Sequence, residues 1–168
     1  PWYFRDLFEQ GYPAEAGNAA ASRRAFVKCM GEFGNYYCNQ YVDGHREVLS
    51  IVSVEEDNLL AAWRLAREHG WWSSVIETMQ GLRSLYQETG REGAWRRLVE
   101  NAASDFIDPE TEGPLPGLEI EWRVLTEYRA RLARSERDLA RGEHLQRMIT
   151  EWSRNHVQDN SLPIDIGT

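Results

Sequence analysis

Arginine is the residue type that this sequence packs most densely where it could do chemistry. Arg123, Arg129, Arg131, Arg134, Arg137 and Arg141 crowd one stretch, interleaved with Glu127, Glu136, Asp138 and Glu143. A guanidinium fork matches a carboxylate or a phosphate with two parallel hydrogen bonds. Such a crowd therefore offers a groove for an acidic peptide or a phosphorylated partner. The same residues can instead pair along their own helices and form a solvated face. Arg96 and Arg97, beside Trp95, would extend the groove. Trp71 and Trp72 stand at adjacent positions of one helix start and cannot both enter a core. One of them is either an exposed anchor of the kind that dominates interfaces or a staple for the turn.

Reactive chemistry is harder to find. The histidines are His45, His69, His144 and His156, and none stands in His-x-x-x-His or Glu-x-x-His spacing, which would put two metal ligands on one helical face. His144 and His156 are twelve positions apart and fall on different faces. No native metal site is expected. Ser53, Ser73, Ser74 and Ser135 read as helix caps, and no Gly-x-Ser-x-Gly elbow occurs. The carboxylates Glu55, Glu56 and Asp57 lie in a first helical turn, where the helix dipole accounts for them. The one lysine, Lys28, is mid-helix, and no Gly-x-x-x-x-Gly-Lys-Ser/Thr phosphate loop is present. Cys29 and Cys38 lie nine positions apart in one helix, on opposite faces and roughly 13 Å apart along its axis. They cannot bridge each other, which fits a reducing, cytoplasmic setting. The expectation is a protein without catalysis and without a cofactor.

Bulk composition narrows the partners. The chain has 168 residues, 42% of them hydrophobic and 27% charged, with seven tryptophans and seven tyrosines. At this size one domain buries roughly 70% of the surface of its unfolded chain. A net charge of −8 argues against nucleic acid, whose phosphates need a basic footprint. No apolar run reaches the roughly 18 residues of a membrane span. The chain opens at Pro1 without a signal-like region, and it reads as a piece of a longer protein.

The elements that must position these side chains are helices. Ser53–Phe106 holds three helix-patterned segments separated by Gly70 and Gly90. Ser53-Val54-Glu55-Glu56 reads as a capping box, and Ser74 opens the next segment in the same way. Leu59, Trp63 and Ala66 mark one stripe; Val75, Met79, Leu82 and Tyr86 a second; Trp95, Leu98, Ala102 and Phe106 a third. Upstream, Ala20–Tyr41 keeps its own rhythm through Phe26, Met30, Phe33, Tyr37 and Tyr41. Gly31 and Gly34 inside it cost about 1 kcal/mol each against alanine, and close approach of a neighbouring helix explains them. Residues 1–19 form an aromatic end piece or capping helix, and 159–168 a tail. Ile107–Leu118, rich in proline and glycine, is the one real loop. Residues 118–156 form either two helices, turning between Arg134 and Asp138, or one long helix. The predicted fold is all-α: an antiparallel helical array of about seven helices, with the domain proper over 20–158.

Tyr86, Gly90, Ala94 or Trp95, Val99 and Ala102 resemble the tetratricopeptide repeat, which carries an aromatic, a turn glycine and small contact residues at such places. Gly70-Trp71-Trp72 with Val75 and Met79, and Arg137-Asp138-Leu139 with Gly142, look similar. Arg83 stands where that family favours glycine, and the units do not follow one another at a fixed period. A more particular likeness lies in Glu55–Trp63 through Glu68-His69-Gly70. It is similar to the helical-repeat sensor regions that follow the nucleotide-binding module in bacterial signalling ATPases of the STAND or NB-ARC type. The resemblance implies a tetratricopeptide-like α-solenoid that binds a protein or peptide partner, with a nucleotide-binding domain upstream in the parent protein. The alternative it implies is a helical domain that senses a small-molecule inducer. The candidate partner-binding residues are Trp71, Trp72, Arg83, Arg96, Arg97, Arg123 and Arg129.

Overall fold

The computed structural model of the protein describes residues 16–159. Of the end piece expected over 1–19, residues 1–15 lie outside the described residues, while 16–19 belong to the first helix; of the tail expected over 159–168, all but Asp159, which ends the last helix, lies outside them. Seven helices fill the rest: α1 (Ala16–Val42), α2 (Val48–Val54), α3 (Glu56–Glu68), α4 (Trp72–Glu88), α5 (Glu92–Phe106), α6 (Glu119–Ser135) and α7 (Leu139–Asp159). The fold is all-α, and the only β pairing among the described residues is a single antiparallel bridge between Ile107 and Pro114. The helices gather into two compact units, one ending at Arg97 and the other beginning at Leu98.

Four helix ends are built alike. After α1, α3, α4 and α6 a residue with positive φ lets the chain turn back, at Gly44, Gly70, Gly90 and Arg137. In each case the next amide donates to a carbonyl five residues earlier: His45 to Gln40, Trp71 to Ala66, Arg91 to Tyr86, Asp138 to Ala133. This Schellman arrangement satisfies carbonyls that a helix end would otherwise leave open. It leaves only three residues between α3 and α4, between α4 and α5, and between α6 and α7. Of these pairs, α3 with α4 and α6 with α7 pack on each other, and helices so tightly joined and packed run in opposite directions.

In the first unit α4 packs on α1 and α3. Val27, Leu59, Ala62, Val75, Met79 and Leu82 are fully buried there. The approach of α1 to α4 is close because glycines face each other. A Cβ on Gly34 would lie 2.8 Å from the Glu77 carbonyl oxygen, and one on Gly31 would lie 2.6 Å from a Glu77 carboxylate oxygen. The role expected of these glycines is the one they have. In the second unit α6 packs on α7, and Phe106, Trp122, Leu125 and Leu145 are buried. Burying each such side chain contributes about 2 kcal/mol.

Three expected caps are not formed. Ser53 lies inside α2, a short helix where only an apolar run was expected. No side chain caps α3, because Glu56 is taken by Arg91 and Tyr86 instead. Helix α4 begins at Trp72, two residues before Ser74, because the Trp71 carbonyl already accepts from the Val75 amide. Ser135 ends α6 and donates to the Leu132 carbonyl. The cap of α7 is Asp138, whose Oδ1 accepts from the Arg141 amide. Residues 118–156 are thus two helices, and the turn falls where the two-helix reading put it.

Candidate functional site

Among the described residues, a dense polar constellation grows out of the loop between α5 and α6. Asp108 starts it: its Oδ1 accepts from the amides of Glu110 and Thr111, a turn that aspartate before proline favours. Those two bonds hold the Asp108 carboxyl below its ordinary value. The Asp108 amide donates to Gly113, and the Leu115 amide to Phe106, so the segment is an ordered excursion. Its apex residue, Glu112, has φ 56. The buried indole of Trp122 donates to the Glu112 carbonyl at 2.9 Å. Trp122 in turn lies 5.9 Å, ring to ring, from Trp152 on α7.

Fixed in this way, the Glu112 side chain reaches two guanidiniums and an imidazole. Arg141 donates through both guanidinium ends, at 2.9 Å to Oε2 and more closely to Oε1. Arg129 donates to Oε1 at 3.4 Å, and His144 Nε2 lies 3.6 Å from Oε2. Arg141 and His144 sit three positions apart on α7 and share a face; Arg129 comes from α6. The Arg141 bonds above all push the Glu112 carboxyl down to about 2. Burial, and then the charge of Arg141, lower the Arg129 guanidinium, while Glu112 raises that of Arg141. Arg129 Nη1 is buried without a hydrogen-bond partner. Chemically, two guanidiniums and an imidazole here converge on one carboxylate.

Sequence reasoning found one member of this cluster, Arg129, and placed Arg141 in the arginine crowd. It missed Glu112 and His144. The signal available was the Asp108-Pro109 turn and the acid beside Gly113; nothing in the spacing reveals that Glu112 folds back over α6 and α7.

Of the other candidates, Trp71 and Trp72 are both half-buried. Trp71 stacks on His69 at 4.7 Å and carries the Arg24 guanidinium 5.0 Å above its ring. Trp72 lies over Gly70 and staples the turn. Arg83 is half-buried on α4, with Nη2 3.3 Å from the sulfur of buried Cys38; Cys29 is exposed, and both thiols are free. Arg96, Arg97 and Arg123 are exposed, the first two in the first unit and the third in the second. A cleft of about 210 Å³ between α1 and the head of α4 is lined by Arg24, Lys28, Glu32, Trp71, Ser73 and Glu77 among others. Burial and Glu32 raise the Glu77 carboxyl. Its volume is below the roughly 300 Å³ at which small-molecule pockets begin, and its charges are mixed. Among the described residues no three His, Cys, Asp or Glu side chains are grouped to hold a metal. No helix there is long and apolar enough to cross a membrane.

Compared with known protein families, with curated proteins and with solved structures, the chain matches none.

Proposed function

We propose that the chain is a non-catalytic docking module, which holds an acidic segment of a protein partner at Arg129, Arg141 and His144. The supporting observation is the Glu112 carboxylate, seated on two guanidiniums that lie on helices joined by a three-residue turn. A rigid helix pair fixes the spacing of the two forks, and bidentate geometry supplies specificity for planar anions. Arg123, exposed on α6, adds long-range attraction for an acidic segment. The proposal extends to a larger cytoplasmic signalling protein in which this module follows a nucleotide-binding domain, a reading supported by the tetratricopeptide-like pattern of the sequence alone. The test is fluorescence anisotropy with a labelled hexaglutamate peptide at low and moderate salt. Saturable binding that weakens at least tenfold in Arg141→Ala, and less in Arg123→Glu, supports the proposal. Absence of binding both by wild type and by a variant with Glu112 replaced, or equal binding by Arg141→Ala, overturns it.

A further inference from the structure

Resting on that docking function, we infer that Glu112 is an intramolecular stand-in for the partner's carboxylate, a plug that an incoming acidic segment must displace. Four observations converge on it. First, Glu112 adopts φ 56, a left-handed conformation that is strained for a residue with a Cβ. At Glu112 this backbone carries a side chain bonded to Arg129 and Arg141. Second, the loop does not depend on the carboxylate. Trp122 holds the Glu112 carbonyl, Asp108 Oδ1 holds two loop amides, and the Glu112 amide donates to the Asp108 carbonyl at 2.8 Å. Rotation of one side chain therefore clears the cluster while the backbone stays in place.

Third, the cluster cannot stay empty. The Arg141 charge is felt at Arg129, so departure of Glu112 leaves two like charges without the counter-ion they share. Displacement is then an exchange of one carboxylate for another, and acid does not substitute for it: with its carboxyl titrating near 2, Glu112 stays charged under mildly acidic conditions. Fourth, the exchange is open to solvent. The Glu112, Arg141 and His144 side chains retain 33%, 34% and 49% of their exposure, which lets a second carboxylate bind alongside before the first leaves. A tethered competitor acts at an effective concentration of about millimolar or higher, so it sets a threshold that only a multiply acidic ligand passes.

The experiment compares wild type, Glu112→Gln and Glu112→Gly for binding of the labelled hexaglutamate peptide, with circular dichroism to confirm folding. Glu112→Gly guards against misfolding, because glycine accepts φ 56 without strain. Both variants are expected to bind at least tenfold more tightly than wild type, and adding Arg141→Ala to Glu112→Gly removes the gain. Equal affinity in wild type and both variants, still weakened by Arg141→Ala, overturns the plug and leaves the docking function standing. No binding by any variant overturns both.

Discussion

Gly34 and Gly81 meet backbone to backbone: a Cβ on Gly81 would lie 2.9 Å from the Gly34 Cα. This contact sets how closely α1 approaches α4 and hence how the first unit is packed. Alanine at either position improves helix propensity by about 1 kcal/mol. It also drives a methyl into main-chain atoms that cannot rotate aside, which costs about 2–3 kcal/mol. The steric effect wins. Gly81→Ala and Gly34→Ala are each expected to lower the urea midpoint, and an unchanged or higher midpoint would show that the crossing has slack.

The left-handed turn residue before α7 is Arg137, where the matching turns after α3 and α4 carry Gly70 and Gly90. Arg137→Gly is expected to stabilise the protein by about 1 kcal/mol by removing that strain, and Gly90→Ala to destabilise it by a similar amount. Thermal denaturation of the two variants reads both signs. A Tm that falls in Arg137→Gly would mean that the arginine side chain contributes more than its backbone costs.

These turns also show what could be read from the chain. Gly70 and Gly90 announce their helix ends because glycine is the usual residue at positive φ; Arg137 announces nothing, and the two-helix reading of 118–156 rested on Ser135 and a shift of stripe. Stripes such as Val75, Met79, Leu82 and Tyr86 identify buried faces because a 3.6-residue period is local. Caps were misread where a distant partner competes: Glu56 lies three positions from Ser53, yet it bonds Arg91, thirty-five positions away. Glu112 was illegible for the same reason, since its partners lie 17 and 29 positions along.

Glu56 accepts from Arg91 at 2.6 and 2.7 Å and from the Tyr86 hydroxyl at 2.8 Å, and the Arg91 guanidinium lies 4.6 Å from the Tyr86 ring centre. The Arg91 bonds chiefly lower the Glu56 carboxyl, and burial with Glu56 raises the Tyr86 hydroxyl. Arg91 remains 46% exposed, so water screens the pair. A double-mutant cycle on Glu56→Gln and Arg91→Ala is expected to give a coupling of about 1 kcal/mol. A coupling near zero would reduce the contact to a surface pair.

Glu112 gives stability a defined pH dependence. Its carboxyl titrates near 2 in the folded state against an ordinary 4.5, so below that ordinary value the unfolded chain binds the proton first. The stabilisation it contributes is complete above about 4.5 and is lost as pH falls toward 2. Wild type should therefore exceed Glu112→Gln in stability at pH 7, and the two should converge between pH 4.5 and 2. A gap that stays constant across this window would contradict the charge-based account.

The most direct measurement is side-chain NMR of the arginine Nε–H groups during titration with hexaglutamate. Arg129 and Arg141 are expected to shift together and saturate, while Arg131, on the same helix as Arg129, stays in place. Arg129 and Arg141 resonances unmoved at saturating peptide, or shifts spread evenly over all arginines, would contradict the assignment of this cluster as the docking site.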